Sequence, residues 1–169
     1  MNGAGKWLQM AKINFTGLEQ YMAQLQSVSS EIENIEKKAI YEAAAIVADA
    51  VRTGIDGIHI ESLGPTNSTY EMNRRRLQKK GLQEGMGVSS MENDNGFLNA
   101  KVGFDGYNDV KTEKHPNGQA NMMIARAFNS GTSFNRKQPF FDQSVRASRT
   151  QALNKMESVF EEEVKNVMK

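Results

Sequence analysis

Five cations within seven residues, Arg74, Arg75, Arg76, Lys79 and Lys80, are the densest charge feature of the chain and the first candidate for acting on another molecule. Cations so spaced can grip phosphates, with an affinity that falls steeply as salt rises. Tyr70 is the only aromatic nearby, so the base-stacking platform that single-stranded nucleic acid favours is poorly supplied. The plainer reading is a solvated basic stretch balanced by acidic neighbours. Direct DNA contact through residues 74–80 therefore stands as the second of two functional readings.

Other reactive constellations are missing. The 169 residues include no cysteine, which removes thiolate nucleophiles, disulfides and Cys-based zinc sites and leaves the redox compartment open. His59 and His115 stand in separate segments, neither with carboxylates at metal-ligand spacing. Gly81, Gly85 and Gly87 lack the spacing and the trailing Lys-Thr of a phosphate-cradling loop. Glu161, Glu162 and Glu163 fall where a helical apolar stripe bypasses them, so they read as a solvated face. Glu92 and Asp94 sit in a turn that favours such residues for backbone reasons. No acid–base pair emerges, and neither enzymatic chemistry, a metal nor a cofactor is expected.

Lys and Arg number 21 against 20 Asp and Glu, so a net charge of +1 gives no global pull toward nucleic acid or an anionic membrane. The length suits one domain spanning residues 1–169, with a short flexible N-terminus and, at an apolar fraction of 38% and a mean hydropathy of −0.59, a modest core. The opening residues hold no apolar run of signal-peptide length, and no window approaches a membrane span. A soluble protein made in the cytosol is the expectation. Ten methionines suit an irregular core or a surface that re-packs on a partner, and core filling is the simpler account.

The elements follow from periodicity. Thr16 and Glu19 form a capping box with Phe15 as staple, ahead of Leu18, Tyr21, Met22 and Leu25. That helix is predicted to run to about Ser27, and a second to start at Ser29-Ser30 and carry Ile32, Ile35, Ala39, Ala43, Ile46, Val47, Ala50 and Val51. The cluster Ala43-Ala44-Ala45 marks its packed centre, and Gly54 and Gly57 should end it in left-handed caps. Residues 58–85 read as a long polar loop or insertion, holding at most a helical turn around 70–77. Two strands are predicted at 86–91 and 97–104, joined by a turn on Asn95-Gly96. Residues 105–118 read as a second exposed loop, and 120–128 as either a short helix or a third strand. After Pro139 one helix runs to about residue 168, roughly 40 Å at 1.5 Å per residue. The fold class is α+β, a small antiparallel sheet packed against long helices.

Three segments, in order, carry a family resemblance. Residues 15–25, FTGLEQYMAQL, hold Phe15, Gly17 and Leu18 ahead of an alanine-rich helix. KKGLQEGMGVSS at 79–90, with Gly81 and Leu82, leads into AKVGFDGYN at 100–108. ARAFNSGTSFNRKQPFFDQSVRAS at 125–148 contains Gly131-Thr132 and Pro139-Phe140-Phe141. Together they resemble the tail-completion and head-tail joining proteins, the minor tail components, of long-tailed bacteriophages. Lys80 and the Asn129-Ser130 pair depart from the family pattern. The resemblance implies a ring-forming homo-oligomer, possibly hexameric, in the virion at the head-tail junction or tail end, bound to other neck or tail proteins. Residues 60–85 and 105–118 would then be loops that order on meeting those neighbours. The alternative is a nucleic-acid-binding accessory protein using residues 74–80.

Overall fold

The computed structural model describes residues 18–66 and 68–169. Phe15, Thr16 and Gly17, and with them the expected capping box and N-terminal segment, lie outside the described residues.

Helix α1, Leu18–Asp56, runs for 39 residues without a break, about 58 Å at 1.5 Å rise per residue. The break expected at residues 27–30 does not occur, because the serines there turn back onto the helix instead of capping a new one. Ser27 Oγ donates to the Ala23 carbonyl at 3.0 Å and Ser30 Oγ to the Ser27 carbonyl at 2.8 Å. Such back-bonding satisfies the hydroxyl inside a continuous helix. Gly54 and Gly57 do not adopt the left-handed conformation, and Gly54 lies within the helix. Its bare Cα instead lets the first turn of α4 approach, at Phe140 and Ser144.

A 3-10 turn, Ile60–Leu63, and helix α2, Thr69–Gly85, then occupy the stretch expected to be a long polar loop. The sequence carried the signal: Ser68 and Glu71 stand at cap spacing, and the Ser68 side chain accepts the Glu71 N–H at 3.4 Å. Polarity hid the helix, since its buried positions include Arg75, Gln78 and Gly81 besides Leu82.

Two short antiparallel ladders follow. β1 (Met86–Val88) pairs with β4 (Val102–Phe104), and β2 (Glu92–Asp94) with β3 (Phe97–Asn99). They are two ends of one hairpin, interrupted where Ser89, Ser90 and Met91 oppose only Ala100 and Lys101, the signature of a bulge. At the tip, Asn95 and Gly96 have φ of 54° and 90°, the two positive values that a tight hairpin turn demands. Helix α3, Asn121–Ser130, settles the helix-or-strand question, with Ile124, Ala125 and Phe128 on its buried side. Helix α4 is Phe140–Val167, starting after Pro139 as expected.

The chain is thus α+β, with a long C-terminal helix against a longer N-terminal one. α1 and α4 run antiparallel: Gly54 meets Phe140, Glu42 faces Lys155 at 3.6 Å, Lys38 faces Glu163 at 2.6 Å and Gln24 Nε2 donates to the Met168 carbonyl at 2.7 Å. Their buried positions include many small residues, Ala39, Ala43 and Ala48 on α1 and Ser148 and Ala152 on α4, together with Ile35 and Val159. The main core lies at one end, where Val51, Ile55, Leu63, Leu82, Phe104, Ile124, Phe128 and Phe140 converge. The other end is a two-helix arm that leaves Tyr21, Met22 and Leu25 exposed.

Candidate functional site

The motif residues from Gly81 onward fall at that core end. Leu82 and Phe140 are buried in the main cluster, and Phe141 packs beside it. Phe104 meets the Phe140 ring edge-on at 6.2 Å and the Phe141 ring at 5.9 Å. Gly81 is needed for a close approach, because a Cβ there would come within 2.5 Å of Asn108 Cβ and 2.7 Å of Asn121 Oδ1. Gly131 ends α3 with φ of 78°, its N–H donating to the Ala127 carbonyl. Thr132 Oγ1 accepts the N–H groups of Phe134 and Asn135 at 3.2 and 3.0 Å, folding the link into α4. Leu18 opens α1 far along the arm.

The basic segment is not one surface. Arg75 is only 4% exposed, and its Nη1 donates to the carbonyls of Ile60 at 3.1 Å and Gly64 at 3.0 Å. Lys79 Nζ donates to the carbonyls of Asp56 and Ile58 at 2.8 and 3.0 Å, closing the C-terminal end of α1 where a cation is favoured. Arg74 pairs with Glu71 at 2.8 Å and Lys80 with Glu84 at 3.4 Å. Arg76 is exposed and bonded to Asn73. Two of the five cations are therefore committed to backbone carbonyls and two to carboxylates one turn away. His59 and His115 lie in different parts of the fold, and among the described residues no group of three His, Asp or Glu could hold a metal.

The most apolar opening at the core end is a cleft of about 280 Å³ between β4, α3 and the start of α4, with Phe104, Ala125 and Phe141 on its walls and Arg126 at its rim. Its origin is topological. Asn121 N donates to the Gly106 carbonyl and Asn108 N to the Gln119 carbonyl, so residues 119–121 begin a third strand alongside the continuation of β4. The chain then coils into α3, so the pairing does not continue along Val102 and Phe104, which line the cleft instead. Because Asp105 N bonds back to Gly85 and Ser89 N to Lys101, alternation points the N–H and C=O groups of Val102 and Phe104 away from β1.

At the other end of the hairpin, Phe97 is 78% exposed beside its cross-strand partner Asp94. Lys101 is held above its ordinary 10.5 by a hydrogen bond to Glu92 and by the charge of Glu92. Asn129, named above only as a departure from the family pattern, has a structural role: its Oδ1 accepts the N–H groups of Phe141 and Asp142 at 3.1 and 3.2 Å and caps α4 from outside. Gln138 was passed over; it clasps the backbone of His59 from both sides, at 3.0 and 2.7 Å. An Asn in the last turn of a Gly-ended helix and a Gln just before Pro139 are weak signals, because their partners are distant in sequence.

No protein-family model, curated protein or solved structure matches this chain. Among the described residues no helix is long and apolar enough to cross a membrane.

Proposed function

We propose that this chain is a structural virion subunit of a long-tailed bacteriophage, a tail-completion or head-tail joining component that works by assembling with copies of itself and with neighbouring neck or tail proteins. The observation that supports the reading is that motif residues from separate stretches of sequence hold structural positions at the core end. Leu82 and Phe140 share the buried cluster with Phe141 packed against it, Gly81 admits Asn108 and Asn121, and Gly131 and Thr132 shape the link from α3 to α4.

Two further features support assembly. The α1–α4 arm leaves Tyr21, Met22 and Leu25 exposed, and among the described residues no third element covers them. Phe97, Tyr107 and Phe134 are also large apolar side chains left exposed. The nucleic-acid alternative gains nothing from the arrangement of residues 74–80. Immunogold labelling of purified virions tests the proposal: label at the head-tail junction or tail end is expected, and label confined to the capsid shell, or none, overturns it.

A further inference from the structure

We infer that the cleft between β4 and α3 receives the β2–β3 hairpin tip of a second copy of this chain, with Phe97 as the inserted side chain and Asp94 paired to Arg126. The inference rests on the proposal of self-assembly and names the surfaces involved. About 280 Å³ is at the low edge of the ~300–1,000 Å³ typical of small-molecule pockets, and it suits a single aromatic side chain. The walls supply Phe104 and Phe141, already tilted on each other, so a third ring would extend an aromatic cluster. Among the described residues β4 pairs in its ladder with β1 alone, and the cleft lies along Val102 and Phe104, where strand addition would seat an incoming β-strand.

Charge complementarity favours this occupant. Arg126, at the cleft, and Asp94, across the ladder from Phe97, are both exposed, and among the described residues neither makes an ion pair within 4.0 Å, the charge of Asp94 acting only at longer range on Lys101. Opposite residues of an antiparallel pair share a face, so the apolar knob and the carboxylate are presented together. The cleft presents the matching pair, an apolar floor and a guanidinium.

A chain cannot fill its own cleft. Its hairpin tip lies over α1 and α4 at Ile40, Met156 and Phe160, whereas the cleft abuts α4 at Phe141. The fifteen residues from Phe141 to Met156 span about 22 Å of helix. The tip of one copy must therefore enter the cleft of another; where two copies do not exchange tips reciprocally as a twofold dimer, the contact is head-to-tail. Such contacts close into rings where the rotation permits and otherwise extend as filaments.

The test places a photo-crosslinking phenylalanine analogue at position 97 in a mixture of isotope-light and isotope-heavy chains. Crosslinked peptides joining position 97 of one copy to residues 102–104, 122–130 or 141 of the other are the expected result. Intermolecular crosslinks from position 97 to other regions would overturn the inference while leaving self-assembly intact. A chain that stays a single copy by mass at high concentration, with no intermolecular crosslink, would overturn both. In parallel, Asp94→Lys and Arg126→Asp should each weaken assembly about tenfold or more, and the double variant should recover most of it. Equal loss in the double variant, with the fold intact by circular dichroism, would refute the pairing.

Discussion

Replacing Arg75 with Met separates the structural and nucleic-acid readings of the basic segment most sharply. The guanidinium is buried and its Nη1 closes two carbonyls, those of Ile60 and Gly64, both also buried. Methionine preserves much of the apolar stem but leaves both acceptors without a donor. An unpaired buried polar group costs ~1–3 kcal/mol, giving ~2–6 kcal/mol for two, partly offset because a buried charge without a carboxylate partner is removed as well. A net loss of ~2–3 kcal/mol follows, or ~4–12 °C in Tm for a domain of this size. Arg76→Met is the control: its exposed side chain holds only Asn73, so its effect should stay within ~0.5 kcal/mol. Urea unfolding followed by circular dichroism reads both midpoints. An Arg75→Met midpoint equal to wild type would refute the structural assignment. Loss of salt-sensitive DNA binding in Arg76→Met and in Lys80→Gln, at unchanged stability, would revive the nucleic-acid reading.

The remaining predictions test other joints of the fold. Asn129→Ala removes the external cap of α4 and should cost ~1–2 kcal/mol in chemical unfolding, while Asn129→Asp should retain most of it. Gly81→Ala forces a Cβ against Asn108 and Asn121 and should cost ~1–3 kcal/mol, whereas Gly87→Ala, with open space around it, should be far milder. Trypsin acting on the isolated subunit should cut after the exposed Lys111 or Lys114 before any residue of 74–80, because the latter lie in a helix. Early cleavage at 74–80 would contradict α2. Lys37 hydrogen-bonds Glu33 and lowers its pKa below the ordinary 4.5, so that pair's contribution is present above 4.5 and fades as pH falls through the folded value. Carbon-detected NMR titration should place the Glu33 midpoint below 4.5 and return it upward in Lys37→Met.

The parts of this fold readable in the sequence were those with local causes. Asn95-Gly96 announced its turn because few other pairs tolerate two positive φ values. Pro139 and the apolar spacing after it announced α4, and of the cluster Ala43-Ala44-Ala45 the first two are buried while Ala45 is exposed. Serines at 27–30 misled, since the same hydroxyl that caps a helix can bond back within one, and only the packing of α4 along α1 favours the second outcome. Helix α2 was hidden by its polarity: its inward face uses Arg75 and Gln78, whose partners at Ile60, Gly64 and Gln119 lie too far along the chain to be inferred. The same non-locality concealed the cleft. Its existence depends on where residues 119–121 stop pairing and α3 begins, a choice between strand and helix that periodicity alone left open.

A phage stock propagated with the gene for this chain deleted and no complementation in the host puts the assembly role to its most direct test. Electron microscopy of the lysate should show filled heads and finished tails lying separate, with joining restored when the purified wild-type subunit is added. Intact, infectious particles in normal numbers without the chain would contradict the account.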